Sequence, residues 1–235
     1  MRLSSGALVG HPLRSLLSML GIAIGVAAVI MLTSLGEGTR KYMISQFSQF
    51  GTDVLAVQPG KRKTSGVPNA FRGTQQKLTI DDAEALARIP MFDAVVPVAF
   101  GQARVEGGGR GRSVIVRGVT SEFPEVAKFS VRQGSFLPPG DPRRGGSVVV
   151  LGPTLKRELF GEANALGEFV RIAGARLRVI GVMEPKGQVL GMDIDDAAYL
   201  PVATAMRLFN LPELQEIDVV FRHEGQADEA IDVVR

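Results

Sequence analysis

With no cysteine, the 235-residue chain holds no disulfide, thiolate metal site, cysteine nucleophile or sulfur-linked lipid. Two histidines, His11 and His223, are too few for a histidine-rich metal centre. A formal charge of +3 on a basic isoelectric point leaves nucleic acid and an anionic membrane surface open as partners.

Ser15 to Gly36 is a run of 22 residues without a charge, set between Arg14 and Glu37. At ~1.5 Å per residue it reaches about 33 Å, enough for a hydrocarbon core of ~30 Å. Five Leu, three Ile and two Val favour insertion, and no residue carries the ~2.5–3.5 kcal/mol cost of a central charge. A signal sequence would have a shorter apolar region, ~7–15 residues, and an Ala-x-Ala ending. Thr33-Ser34-Leu35-Gly36 offers no such ending. The segment therefore reads as a retained transmembrane helix, after a short N-terminal segment, 1–14. Ser18, Gly21, Gly25 and Ala28 share one helical face, and Gly21 and Gly25 form a G-x-x-x-G pair. Small residues at that spacing let a second helix approach closely, so this face is expected to pack on other transmembrane helices. Charge does not orient the span. Arg2 and Arg14 precede it, and Arg40 and Lys41 follow it.

Tyr42, Met43, Phe47 and Phe50 continue an apolar stripe, predicting a helical stalk over 37–51 that Gly51 ends. Asp53–Val57 predicts a strand, and residues 60–76, with Lys61-Arg62-Lys63, a solvated basic loop. Thr79-x-x-Asp82 predicts a capped helix with Ile80, Ala83, Leu86 and Ile89 inward, stopped by Pro90. Strands near Val95–Arg104 and Arg112–Val119 flank a glycine-rich joint, Glu106–Gly111, which reads as a hairpin turn. No Gly-Lys-Ser/Thr follows, so the joint is no phosphate loop, and the absence of aromatics beside it argues against RNA binding.

Further on, Val148–Leu151 predicts a buried strand, and Pro153 opens a short helix through Phe160, closed by Gly161. Phe169–Ile172 and Leu177–Val182 predict a second hairpin; Ala198–Pro201 predicts a strand and Val202–Phe209 a helix. Asp218–Phe221 echoes Asp53–Ala56, and residues 227–234 echo the start of the 81–86 helix. A strand–helix unit thus occurs twice, implying two βαβ halves with another subdomain inserted between them. The fold class expected is α+β. One porter-like βαβ subdomain would span 52–124 and 212–235, its second half cut short, around an inserted β-rich subdomain at 125–211.

Chemistry is sparse. Asp193, Asp195 and Asp196 form the densest acidic cluster, but the sixth and twelfth loop positions are Ala198 and Thr204, which rules out a calcium-binding loop. The cluster reads as a solvated turn. No Gly-x-Ser-x-Gly, H-E-x-x-H or Walker A motif is present. The expectation is a chain that is not an enzyme, with no catalytic, cofactor-binding or metal-binding residues.

In its order of features the chain resembles the MacB-type permeases of the FtsX superfamily of ABC transporters. The resemblance rests on Leu13–Val29, Gly36-Glu37-Gly38 and Gly51–Gly60. It continues through Val148–Gly152, Leu159-Phe160-Gly161, Leu166-Gly167, Val179–Val182 and Tyr199-Leu200-Pro201. It implies a bacterial inner (plasma) membrane location, with a cytoplasmic N-terminus and the main domain periplasmic or extracellular. It further implies a porter-like subdomain with a sabre-like insertion. The expected partners are the membrane, an ATP-binding subunit on a separate polypeptide that alone binds ATP, a second permease copy or paired permease, and a periplasmic adaptor. No nucleic acid is expected. The activity implied is export driven by cytoplasmic ATP hydrolysis. The alternatives are a non-transporting mechanotransmission subunit that regulates an envelope protein, or a membrane-anchored envelope enzyme.

Overall fold

A computed structural model describes residues 12–48, 54–59, 77–189 and 192–221, which fall into two units, Met1–Ser48 and Gln49–Arg235. In the first unit, α1 (Pro12–Ser48) is a single helix of 37 residues. That is about 56 Å at ~1.5 Å per residue, so it exceeds the thickness of a hydrocarbon core. Its stretch Leu16–Lys41 has a mean hydropathy of 2.4 and contains no buried residue. Such a helix is stable in lipid, where acyl chains contact the Leu, Ile and Val side chains and each backbone N–H bonds within the helix. The Thr33 hydroxyl donates to the Val29 and Ile30 carbonyls at 2.9 and 3.0 Å, and Thr39 donates to Leu35 at 2.9 Å. These hydroxyls therefore carry no unpaired polar group into the bilayer. Gly36 and Gly38 do not interrupt the helix, and Glu37 between them pairs with Arg40 and Lys41 one turn on.

The second unit begins with a split βαβ motif. β1 (Val54–Val57) leads to α2 (Ile80–Ala87) and then to β2 (Phe92–Gly107). β11 (Glu216–Phe221) lies between β1 and β2 and is antiparallel to both, so β1 and β2 run parallel. The Asp53–Ala56 and Asp218–Phe221 strands recognised as a repeat are thus direct neighbours. The second helix of the repeat, at 227–234, lies outside the described residues, as do the loop 60–76 and the N-terminal segment 1–11.

The capping box starts α2 as the sequence implies. Thr79 N donates to Asp82 Oδ2 at 2.8 Å, and Asp82 N donates to Thr79 Oγ1 at 3.2 Å. Ala83, Ile80, Leu86 and Ile89 then pack on one face of the sheet with Ile217, Val219 and Leu55. Thr79→Ala removes one of the two reciprocal bonds and is expected to cost about 1 kcal/mol. Urea titration followed by circular dichroism checks this.

The remaining strands close a ring. β3 (Arg110–Val119) pairs with the C-terminal half of β2 and, on its other side, with β10 (Ala197–Pro201). β10 pairs with β5 (Val148–Leu151), and β5 with β7 (Ala175–Met183). β7 pairs with β6 (Phe169–Ile172), which returns to β2 at Val105 and Glu106. Two of these pairings are parallel and four antiparallel. Closure leaves no free strand edge around the ring and makes an interior that alternate residues fill. Val105, Val114, Val116, Val149, Leu151, Val170, Ile172, Leu177 and Leu200 are all buried there. α4 (Pro153–Phe160) adds Leu155 and Leu159 to the same core, and β4 (Val131–Gly134) extends the sheet beyond β7.

β2 is 16 residues long because it serves both parts, with Phe92–Val98 on β11 and Ala99–Gly107 on β3. The backbone hydrogen bonding from the split βαβ motif to the closed ring is therefore continuous. α5 (Val202–Leu208) lies on β2 and β3 where two glycines permit it. A methyl at Gly118 would stand 2.3 Å from Ala205 Cβ, and one at Gly101 would meet the Phe209 ring at 2.6 Å.

Candidate functional site

The face predicted for helix packing lies on α1. Ser18, Gly21, Gly25 and Ala28 are exposed there, and a Cβ at Gly21 or Gly25 would meet no atom within 4 Å. The helix backbone is thus open at both glycines to close approach by another helix.

In the second unit, Asp195 is not the solvated turn residue that the acidic cluster suggested. It is 8% exposed, and its carboxylate accepts from Lys186 N at 2.8 Å and Gly187 N at 3.0 Å. Its carbonyl accepts from Thr154 N at the start of α4, at 3.1 Å. Asp196 is also engaged: Arg112 Nε donates to both of its carboxylate oxygens at 2.9 Å. The physical reason is tertiary. The chain turns inward before β10, and Lys186 and Gly187, at the base of a short arm of β8 (Gln188–Val189) and β9 (Met192–Asp193), present their N–H groups to the carboxylate. The Lys186 ammonium donates to the Ala127 and Lys128 carbonyls at the end of α3 (Phe123–Val126). Partial burial, with Lys128 nearby, lowers its pKa below the ordinary lysine value.

Tyr199 on β10 is the largest fully buried side chain among the described residues. Its ring lies 5.3 Å from Phe123, 6.1 Å from Phe129 and 6.2 Å from Phe136, and its hydroxyl donates to the Ile194 carbonyl at 3.2 Å. Burial pushes the hydroxyl's pKa up. This aromatic cluster and α3 cover the sheet face opposite α2, where Val96 and Val98 are buried.

Asp218 lies on that second face of β11, opposite Val96 and Ala56. Burial pushes its carboxyl up to about 8; the Glu216 carboxyl beside it adds to the rise and Arg117 opposes it. The folded state then keeps a proton that an unfolded aspartate loses near ~4. Below about 4 both states are protonated and the site costs nothing. Between about 4 and 8 only the unfolded state releases the proton, so stability falls as pH rises and then levels off. Asp218→Asn is expected to raise stability at pH 9 by at least about 1 kcal/mol and to leave pH 3 stability nearly unchanged. Unfolding curves at the two pH values test this.

On the outer face of the ring, a groove of about 520 Å³ runs along β3, β2, β6 and β7. Arg104, Arg110, Arg171 and Arg176 line it, with Glu106 and Phe169. The Arg176 guanidinium lies 3.8 Å above the Phe169 ring. The Glu106–Gly111 joint predicted as a turn is a two-residue hairpin loop at the groove's edge. Gly108 and Gly109 take φ of +57° and +76°, the left-handed pair that a twisted hairpin requires. The arginines were not singled out in the sequence. Their signal, alternation with Val105, Val170 and Leu177 along three strands, was present but has meaning only once the strands are paired. Among the described residues, no three His, Asp or Glu side chains converge as metal ligands.

A family model described as the MacB-like periplasmic core domain matches residues 15–235. The pyoverdine export ATP-binding/permease protein PvdT of Pseudomonas savastanoi pv. phaseolicola (strain 1448A / Race 6) is 30% identical over 225 residues. That alignment covers 94% of this chain and 33% of PvdT. The macrolide export ATP-binding/permease protein MacB of Bdellovibrio bacteriovorus is 33% identical over 227 residues, covering 96% of this chain and 35% of that protein. The chain therefore spans about a third of the length of these relatives. Among solved structures, the periplasmic region of MacB from Actinobacillus actinomycetemcomitans superposes with a TM-score of 0.63 at 22% identity. That match covers 79% of this chain and 82% of the other. The extracellular domain of the ABC-type transporter YknZ from Gram-positive bacteria gives 0.58 at 19%, over 75% of this chain and 86% of that one. Matched over all but its first 14 residues, this chain belongs to the family of the MacB-like periplasmic core domain, whose relatives include ATP-binding/permease proteins of ABC exporters.

Proposed function

We propose that the chain is part of the permease of an ABC exporter, its second unit lying outside the cytoplasm and moving with ATP hydrolysis on the other side of the membrane. The observation that carries this reading is the family match over 15–235, with relatives at 30% identity or more whose names specify export. Those names favour an exporter over a mechanotransmission subunit. α1 has the length and hydropathy of a membrane span and stands directly before the core domain in sequence. ATP binds to the ATP-binding component, and two permease copies pack through transmembrane helices. Ser18, Gly21, Gly25 and Ala28 form one packing face, and an adaptor in the envelope engages the outer domain.

A spin label on Arg132→Cys tests the coupling, because the chain has no native cysteine to compete. The label is exposed on β4, in the transporter reconstituted with its ATP-binding component. The distance between labels on two copies is expected to differ between the nucleotide-free and vanadate-trapped states. An unchanged distance would refute the coupling, and no inter-copy signal would refute the pairing.

A further inference from the structure

The strand register sets Gly111, Glu106, Arg171 and Arg176 in one straight row across β3, β2, β6 and β7. All three charged side chains point outward, since Val105, Val170, Ile172 and Leu177 fill the interior positions between them. Arg171 and Arg176 are direct cross-strand partners. Like charges so placed have Cβ atoms ~4.5–5.5 Å apart and destabilise the pairing unless an anion lies between them.

Among the described residues, one carboxylate lines the groove. Glu106 contacts Arg104, Nε to Oε1 at 3.5 Å, while Arg110, also on the lining, turns its guanidinium to the Glu158 carbonyl; the outward row of three arginines and one glutamate carries +2. The glycines give the groove its depth. A methyl at Gly111 would lie 2.6–2.8 Å from the Arg104 guanidinium, so Arg104 rests flat over that backbone. At Gly109 a methyl would meet nothing within 4 Å, which leaves that edge open. Phe169 is 46% exposed, large for an aromatic ring, and holds Arg176 in place by cation–π contact. Arg171 and Arg176 leave the sheet from neighbouring register positions on the same face, so their two forks can each take one of two adjacent oxyanion groups, because a fork donates two parallel hydrogen bonds to one carboxylate or phosphate.

We propose that this groove binds a small ligand with two adjacent anionic groups, a diphosphate or a dicarboxylate. Arg171 and Arg176 each grip one group, and Arg104 flanks them over Gly111. The site is independent of the export reading, since it uses only the outer face of the ring.

Calorimetric titration of the full chain in detergent micelles tests it, with inorganic pyrophosphate and succinate as separate probes. At low ionic strength at least one probe is expected to bind with a Kd below about 1 mM. In Arg171→Gln/Arg176→Gln that affinity should fall at least about tenfold, because both forks are gone. The control pair Arg88→Gln/Arg132→Gln, exposed elsewhere on the unit, should match the unsubstituted chain. Stronger binding of pyrophosphate assigns the diphosphate class, and stronger binding of succinate the dicarboxylate class. Failure of both probes to bind below about 10 mM would overturn the proposal. So would an equal loss in the control pair, which would reduce the effect to general surface charge. Circular dichroism on each variant confirms that the fold is kept.

Discussion

Tyr199→Ala is expected to lower the unfolding free energy of the second unit by about 3–5 kcal/mol, a large part of a typical domain's stability. The ring is 2% exposed and touches three phenylalanines, so truncation opens a cavity that three separate segments would have to collapse to fill. Phe123 comes from α3, Phe129 from the turn before β4, and Phe136 from the turn after it. Tyr199→Phe separates packing from polarity. It keeps the ring and removes only the bond to Ile194, so a loss of about 0.5–1.5 kcal/mol is expected. Urea denaturation followed by circular dichroism measures both. Equal losses for the two variants would show that the hydroxyl, not the ring, holds the cluster.

Asp195→Ala is expected to cost about 2–4 kcal/mol. The Lys186 N–H, half-buried, and the Gly187 N–H, at an exposed glycine, lose an ionised acceptor, and a hydrogen bond to a charged group contributes about 1.5–3 kcal/mol, less where water replaces it. Asp195→Asn retains one carbonyl oxygen and should lose about half as much. The contrast with a solvated turn is wide, because a surface aspartate replaced by alanine changes stability by only about 0.5 kcal/mol. Hydrogen exchange at the Lys186 and Gly187 amides is expected to accelerate in Asp195→Ala more than at the β10 amides.

Local signals in the sequence carried the elements well where chain chemistry alone decides them. Thr79 with Asp82 marked the start of α2, Pro153 the start of α4, and Gly161 its end, where the backbone takes φ +59°. Both hairpins lay where glycine stood between β-rich runs: Gly108-Gly109, and Ala173-Gly174 with φ of +47° and +85°. The uninterrupted apolar run appears as a helix through Ser48, longer than the span itself.

Non-local pairing was not legible. Nothing in the spacing of Arg104, Arg171 and Arg176 says that the β6–β7 hairpin lies beside β2, and Phe169 comes near the Glu106–Gly111 joint only through the fold. The short α3 and β4 carry too few residues for a periodic signal. Asp195 reads as solvated because what engages it, the Lys186 and Gly187 N–H groups and the Thr154 N–H of α4, belongs to other segments.

Membrane sidedness is the claim on which the functional account turns, and the cysteine-free chain allows a direct measurement. Arg88→Cys places a thiol on the exposed C-terminal end of α2, and Ser5→Cys places one before the span. Cells with a permeabilised outer envelope and an intact inner membrane are treated with a membrane-impermeant maleimide. Arg88→Cys is expected to be labelled at once, and Ser5→Cys only after the membrane is broken. Labelling of Ser5→Cys in intact cells, with Arg88→Cys protected, would place the core domain in the cytoplasm and contradict the account.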